Sequence, residues 1–267
     1  MKKISLLALL FFVFSSSFLA TSAQAKIQTK PVDYAYGGVT MKGYLARDDA
    51  VSGKRPGVLV VHEFWGLNDY AKRRAEQLAG MGYVAFAADM YGNGKTAEHP
   101  EDAKAMMETV RQNIATWRGR ANSALAALRG VPETDPSRIA AIGYCFGGAT
   151  VLQLAYGGTD LKAVVSFHGA LPVPETTKNI PKTTKILILH GADDSFVSAK
   201  TIQDVKAALD SGKVDYRFIS YPGAVHSFTV KEAGDDPKKG TAYNAEADRL
   251  SWQEMTKLFQ SALGGSS

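Results

Sequence analysis

Hydrophobic residues recur along the chain with two periods, and the two periods alternate. Short apolar runs bounded by turn residues predict buried strands, as at 58–62 and 83–88. Between them, apolar residues at helical spacing predict an amphipathic helix over 69–81, which ends near Gly82. Strands that alternate with helices form a mostly parallel sheet with helices on both faces. The pattern therefore predicts the α/β class.

The same alternation extends over the rest of the chain. A hairpin opens it, with strands at 32–36 and 40–46 that turn at Gly37-Gly38. The remaining predicted elements are strands at 138–144, 161–167, 185–190 and 216–221, and helices at 100–113, 117–128, 147–156, 198–209 and 243–263. Functional groups in such sheets gather beyond the carboxyl ends of the strands. Four strand ends carry such groups: His62-Glu63, Cys145, Asp193-Asp194 and His226.

The first 25 residues have the pattern of a secretory signal peptide. Lys2 and Lys3 precede an apolar run over 4–20, and Ala23-Gln24-Ala25 supplies a small-residue cleavage site. A retained membrane anchor is the alternative, although serines at 15–17 interrupt the apolar span. We expect cleavage to leave an exported chain, 26–267, that forms a single domain in the periplasm or outside the cell.

The formal net charge limits the kinds of binding partner that the sequence supports. Without Lys2 and Lys3 the formal net charge falls from +5 to +3, too mild to indicate nucleic acid or an anionic membrane surface. The sequence has no basic cluster interleaved with aromatics and no internal repeat. We expect a monomer with no membrane contact after signal cleavage, and a small molecule as its partner.

Gly143-Tyr144-Cys145-Phe146-Gly147 is the strongest chemical motif, and its centre is the only cysteine of 267 residues. A predicted strand precedes it and a predicted helix follows it, which is the context of a nucleophile elbow. Glycines are needed there because strand and helix backbones crowd the nucleophile. A lone thiol in an exported chain has no internal disulfide partner. A buried, inert cysteine is the alternative, and the elbow context favours a nucleophile.

A thiol nucleophile needs a base, and His226 is the best candidate. It lies in the loop after the last predicted strand, and chain order in this architecture runs nucleophile, acid, histidine. The other histidines are expected to be structural, with satisfied hydrogen bonds: His62, His99, His168 and His190.

The acid that orients the base is predicted after the strand at 185–190. Asp194 is preferred for this role, and Asp193 stays open as the alternative. An oxyanion hole needs two donors. The backbone N–H of Phe146 follows from the elbow, and the N–H of Phe64 is expected from the loop after the strand at 58–62.

Together these residues resemble the dienelactone hydrolase family over nearly the whole mature chain. The segments that carry the resemblance are His62-Glu63-Phe64-Trp65-Gly66-Leu67-Asn68, Asp89-Met90-Tyr91, Gly143-Tyr144-Cys145-Phe146-Gly147-Gly148, Asp194-Ser195-Phe196-Val197 and His226-Ser227-Phe228. The resemblance implies an α/β-hydrolase fold and a Cys145–His226–Asp194 triad, without a cofactor or metal. It also implies that Glu63 interacts with the resting thiol and moves when substrate binds; a loop carboxylate is the alternative.

The sequence departs from the family where arginines hold the carboxylate of a dienelactone. The two places hold Gly92-Asn93-Gly94 and Thr229-Val230, with Lys95 and Lys231 close by. Lysine supplies a point charge and not a bidentate clamp. The hydrolase interpretation stands, while the dienelactone substrate is placed in doubt.

Three functions follow, in order of preference. The first is hydrolysis of a lactone or carboxylic ester through a thioester on Cys145. The second is a general carboxylesterase or thioesterase. The third is a non-catalytic binding protein on the same scaffold, and a redox role is weaker still because no second cysteine is present. Four aromatic residues near the strand ends line either a pocket or the core: Trp65, Tyr91, Phe167 and Phe228.

Overall fold

The computed structural model describes residues 26–264. The predicted signal peptide, 1–25, lies outside the described residues. The strands are β1 (Ile27–Tyr36), β2 (Val39–Asp48), β3 (Arg55–Val61), β4 (Val84–Ala88), β5 (Thr134–Tyr144), β6 (Ala163–Phe167), β7 (Lys185–Gly191) and β8 (Tyr216–Tyr221). The helices are α1 (Asp69–Gly80), α2 (Pro100–Arg111), α3 (Ile114–Arg129), α4 (Phe146–Tyr156), α5 (Ala199–Ser211) and α6 (Ala245–Leu263).

All eight strands join one sheet in the order β1-β2-β4-β3-β5-β6-β7-β8. The hairpin β1–β2 pairs antiparallel to β4 at one edge, and the strands from β4 to β8 run parallel. The hairpin turns at Gly37 and Gly38, which both have positive φ, as a tight two-residue turn requires. The predicted sheet with an antiparallel opening hairpin is confirmed.

Helices cover both faces of the sheet, and the central strands supply a core to each. In β3, Leu59 and Val61 join the core packed by α3 and α4, while Val58 and Val60 join the core packed by α1 and α6. This division follows from the period of two along a strand. Continuous apolar runs are therefore buried on both sides, as parallel strands require.

Each predicted helix and strand is present, with ends that differ by a few residues. The largest difference is β1, which begins at Ile27, five residues before the predicted start, because its first residues pair with β2. β5 begins at Thr134, four residues early, because the polar segment before Arg138 pairs with β3. Two short 3₁₀ turns, Lys231–Ala233 and Pro237–Lys239, lie between β8 and α6 and have no counterpart in the predicted elements. Among residues 26–264, no helix combines the length and hydrophobicity needed to cross a bilayer.

The order of the strands reverses between β3 and β5. From β3 the chain moves to β4 on one side, and it then crosses to β5 on the other. Open α/β sheets bind ligands at such a switch point, outside the carboxyl ends of the two strands. Val61 pairs with Gly143, so Glu63 and Cys145 leave the sheet side by side, each two residues further on.

Candidate active site

Cys145 lies at a sharp turn between β5 and α4. Its φ of 52° and ψ of −113° are rare for a residue with a side chain, and such strain clusters at functional sites. A Cβ on Gly143 would collide with the carbonyl of Gly147, and a Cβ on Gly147 would collide with the carbonyl of Val61. Both glycines are therefore required by close backbone approach. The thiol is half-buried, which leaves it within reach of a ligand.

The loop after β3 lies against this turn, and His62 holds its shape. The His62 Nε2 atom accepts a hydrogen bond from the Met90 N–H at 3.1 Å. The Nδ1 atom therefore carries the hydrogen and donates it to the carbonyl oxygen of Glu63. Burial lowers the pKa of His62 to about 4, so the ring is neutral at pH 7. As expected, this histidine is structural and both ring nitrogens have partners.

His226 and Asp194 lie in direct contact. The distance between His226 Nδ1 and Asp194 Oδ2 is 2.8 Å, and both residues are buried. The other Asp194 oxygen accepts the N–H of Phe196 at 2.8 Å, which fixes the carboxylate. Asp193 is exposed, with its backbone N–H bonded to the Ala224 carbonyl. Of the two carboxylates that the sequence left open, Asp194 is the one that reaches the histidine.

Two neighbours of the His226 imidazole, Cys145 and Asp194, favour its charged form. Burial alone would lower the pKa of His226, since it disfavours charge. Contacts with the side chains of Cys145 and Asp194 oppose this, and together they raise the pKa of His226 well above its ordinary value. The structure therefore places a thiol, an imidazole and a carboxylate in one contiguous group.

Glu63 lies beside this pair but bonds to a residue that the sequence did not single out for a role. Its Oε1 atom accepts the hydroxyl of Ser227 at 2.9 Å, and no described hydrogen bond joins it to Cys145. Ser227 has a φ of 56°, which turns its side chain away from the path of the loop. Burial raises the pKa of Glu63, so the carboxyl tends to keep its proton. The position of Ser227 next to His226 was the only sequence signal for it.

The loop after β4, where the family carries an arginine, is shaped by Asp89. This buried carboxylate accepts the N–H groups of Tyr91, Gly92 and Gly94 at 2.8–2.9 Å. Lys95, at the end of the loop, is exposed. None of residues 89–94 is a lysine or arginine, so this turn has no replacement for the arginine that holds a substrate carboxylate in the family.

Two further arginines approach the site, and backbone or side-chain partners engage both. Arg120 Nη1 donates to the carbonyl oxygens of Met90 and Tyr91 at 2.8 and 3.0 Å. Arg74 donates to Asp248 and to the carbonyl oxygen of Thr229. The Arg74 guanidinium is therefore fully engaged, whereas Arg120 keeps a buried Nε atom without a partner among the described residues.

The aromatic residues divide between core and site. Tyr91, Phe167 and Phe228 are at most 7% exposed and belong to the two cores, while Trp65 is half-buried. Phe196 is 65% exposed and packs edge-on against His226, with ring centroids 5.2 Å apart. The open aromatic wall of the site is therefore Phe196, which the sequence did not indicate.

The expectation that the competing histidines are satisfied is wrong for two of them. His99 is exposed and precedes α2. The Nδ1 atoms of His168 and His190 are buried and have no hydrogen-bond partner among the described residues. Within 26–264, no group of three or more His, Cys, Asp and Glu side chains is arranged to hold a metal ion.

Comparison with known proteins places this geometry in one family. The model of the dienelactone hydrolase family matches residues 41–263. The chain belongs to the dienelactone hydrolase family. It is accordingly a hydrolase of ester bonds with an α/β-hydrolase fold, as the sequence predicted.

Individual relatives agree with this membership. A Synechocystis protein assigned as a carboxymethylenebutenolidase is 29% identical over 89% of this chain and 98% of its own length. A solved structure designated m3DLH is 38% identical, with a TM-score of 0.85 over 89% of this chain and 99% of that chain. A dienelactone hydrolase-like promiscuous phosphotriesterase from metagenomic libraries is 41% identical, with a TM-score of 0.84 over the same shares.

Proposed function

We propose that this dienelactone hydrolase family member cleaves a neutral carboxylic ester or lactone through a thioester on Cys145. The observation that carries the proposal is the 2.8 Å contact between His226 Nδ1 and Asp194 Oδ2, with Cys145 raising the pKa of the same imidazole. A nucleophile, a base and an orienting acid in contact are the minimum set for acyl transfer.

In the acylation step the Cys145 thiolate attacks the carbonyl carbon and the C=O electrons move to oxygen. The N–H groups of Phe146 and Phe64 are the donors proposed for that oxyanion, since Phe146 begins α4 and Phe64 follows β3. The imidazolium of His226 gives its proton to the leaving alkoxide. Water then attacks the thioester, His226 takes its proton, and the acid and the thiolate are released.

The distribution of charge supports a neutral substrate. Arg74 donates to Thr229 and Asp248, Arg120 uses one amino group to bind the carbonyl oxygens of Met90 and Tyr91, and Lys95 is exposed. Lys231 is also exposed and lies over the ring of Tyr243, with its Nζ atom 5.9 Å from the ring centroid. A substrate carboxylate would find no bidentate partner beside the thiol. An uncharged ester has no such requirement.

Glu63 is proposed to gate the thiol. In the structure Ser227 holds its carboxyl next to His226, and burial raises its pKa. Movement of this group on substrate binding would change the polar environment of Cys145 and His226. Iodoacetamide labelling of Cys145, with and without a substrate analogue, tests this gate, and equal fast labelling in both states contradicts it.

The catalytic proposal is tested with p-nitrophenyl esters and a simple lactone. Cys145→Ala should lower kcat/KM by at least about 10³-fold, because the nucleophile is removed. Intact-mass measurement of a quenched reaction should show one acyl group per chain, and Cys145→Ala, which lacks the only cysteine, should show none. Full turnover by Cys145→Ala would exclude the thioester.

A second candidate is hydrolysis of neutral phosphotriesters. It is supported by the 41% identity to the promiscuous phosphotriesterase, and a neutral phosphotriester, like a neutral ester, carries no carboxylate that must be held. Rates on a p-nitrophenyl phosphotriester and on the matching carboxylic ester decide between the two. The leaving group is the same, so the ratio reports the acyl or phosphoryl preference alone.

We also propose that the protein is exported from the cytoplasm. We infer a periplasmic or secreted location from the pattern of residues 1–25. The amino-terminal sequence of the protein recovered from cell fractions tests it, with Lys26 as the expected first residue.

A further inference from the structure

A buried polar cluster lies behind the ring of His226 and has no place in the mechanism above. Its members are Arg74 and Tyr70 from α1, Thr229 from the loop after β8, and His168 after β6. Each is at most 7% exposed. Buried polar groups cost free energy unless they are paired, so their arrangement needs a reason. We call these four residues the relay.

The relay is continuous in space. The distance from Arg74 Nε to the Tyr70 hydroxyl oxygen is 3.2 Å, and from that oxygen to Thr229 Oγ1 it is 2.6 Å. Thr229 Oγ1 lies 2.7 Å from His168 Nε2. The guanidinium is itself anchored, since Nη2 donates to Asp248 Oδ1 at 2.5 Å and to the Thr229 carbonyl oxygen at 2.9 Å.

Counting hydrogens gives the relay a direction. The Tyr70 oxygen accepts from Arg74, so the Tyr70 O–H donates to Thr229, and the Thr229 O–H donates to His168 Nε2. His168 then carries its hydrogen on Nδ1, which leaves one donor without a partner among the described residues. The reverse direction would orphan two groups, the Tyr70 O–H and the Nδ1 lone pair. The first arrangement costs less.

We propose that the relay is a positioning device for His226: it fixes His168 as the neutral Nδ1–H tautomer, and the His168 ring in turn supports the His226 ring. The two rings meet edge to face, with centroids 5.3 Å apart and an interplanar angle of 67°. Phe228 encloses His168 from another side at 5.2 Å. The kinetic part of this inference rests on the proposed role of His226, while the tautomer does not.

Neutrality of His168 matters because a second cation would repel the imidazolium of His226. Burial lowers the pKa of His168 well below its ordinary value, and the charges of His226 and Arg74 act in the same direction. A hydroxyl that donates to Nε2 occupies the lone pair that a proton would take. The relay therefore fixes both the position and the charge of the His168 ring, which packs against His226.

Thr229→Val and Thr229→Ser form the matched pair that tests the relay. Valine keeps the volume and removes the hydroxyl, while serine keeps the hydroxyl. Long-range ¹H–¹⁵N spectra of histidine-labelled protein should show His168 as the Nδ1–H tautomer in the native chain and in Thr229→Ser, and not as that single tautomer in Thr229→Val. Turnover should fall about tenfold in Thr229→Val with KM unchanged, and serine should restore most of it.

A second variant guards against loss of folding in Thr229→Val. Tyr70→Phe removes only the phenolic oxygen, so His168 Nε2–H becomes free to donate to Thr229 and the single tautomer should be lost. An Nε2–H tautomer in the native chain would overturn the proposal, as would equal kcat values for the valine and serine variants. If Cys145→Ala keeps full turnover, the catalytic proposal fails and the spectra alone decide the relay.

Discussion

His226 and His168 are neighbouring buried histidines whose pKa values are shifted in opposite directions. Their ring centroids lie 5.3 Å apart, and burial lowers the pKa of both. His226 contacts the carboxylate of Asp194 and faces Cys145, and its pKa rises well above the ordinary value. His168 meets only a neutral hydroxyl and nearby cations, and its pKa falls. The anionic partners, and not the depth of burial, decide which ring is charged.

In the proposed mechanism, this difference separates a ring that exchanges protons from one that holds position. A base must lie close to groups that stabilise its charged form, because the proton it takes has to be accommodated. A supporting ring must stay neutral, since two imidazolium rings in contact repel each other. The predictions below remove the partners of each ring in turn.

Removal of the Asp194 carboxylate, the partner of His226, has the largest expected effect. Asp194→Asn should lower kcat/KM by about 10³–10⁴-fold, because an amide permits the wrong tautomer and no longer stabilises the imidazolium. The pKa of His226 should fall, so that the neutral form of the ring is favoured, as it is for His168. Steady-state kinetics and histidine NMR measure the two effects.

Asp193→Asn is the matched control for this change. Asp193 is adjacent and exposed, and its side chain has no described hydrogen bond to His226. Its kcat/KM should stay within about twofold of the native value. A loss in Asp193→Asn as large as that in Asp194→Asn would contradict the assignment of the acid.

Removal of Arg74, the cationic member of the relay that includes His168, should lower the stability of the fold. Arg74→Met leaves the Asp248 carboxylate, 16% exposed, without its cation and should lower the free energy of unfolding by about 3 kcal/mol. The pKa of His168 should rise, since Arg74 is one of the charges that lower it. Urea denaturation at pH 7.5 measures the stability.

Arg73→Met, at the preceding position, is the matched control for Arg74→Met. Arg73 pairs with Glu232 on the surface, where both side chains are at least half exposed. Solvent screens such a pair, and its loss should cost less than about 1 kcal/mol. Equal losses in the two variants would show that Arg74 is not a buried structural charge.

The smallest expected effect concerns the carboxyl group beside His226. Burial raises the folded-state pKa of Glu63 above its unfolded value, so the native chain loses stability as pH rises through that interval. Glu63→Gln removes this cost and should stabilise the protein at pH 8 by on the order of 1 kcal/mol, with no gain at pH 4. Urea denaturation at the two pH values measures the gain.

Ser227→Ala is the control for that prediction. The Ser227 hydroxyl favours the carboxylate form of Glu63, so its loss should raise the pKa of Glu63 further. Ser227→Ala should therefore make the fall in stability between pH 4 and pH 8 steeper than in the native chain. A pH-independent gain in Glu63→Gln would argue for a packing effect instead.

Much of the fold could be predicted because local patterns determine it. Short apolar runs, such as 58–61 in β3 and Val84–Ala88, have one stable arrangement, as strands buried on both faces. The segment between β8 and α6 was not predicted in the same way. This segment is in contact with elements distant in the chain, for example through the ion pair of Glu232 with Arg73 in α1.

Candidate site residues with a local signature were likewise found from the sequence. The glycines around Cys145 and the position of His226 after a strand point to them directly. The choice between Asp193 and Asp194 was left open, because adjacent residues of a loop point in different directions that only the tertiary structure fixes. Arg74 gave no signal at all, since it occupies an ordinary position on an amphipathic helix.

The sequence by itself determined the α/β class, the elbow around Cys145 and the family resemblance, because backbone sterics and hydrophobic period act over a few residues. Only the tertiary contacts show that Asp194 reaches His226, that Ser227 bonds to Glu63, and that the pKa of His168 falls beside a ring whose pKa rises. Protonation depends on charges and burial supplied by segments far apart in the chain. Those contacts exist only after the sheet has brought its strand ends together.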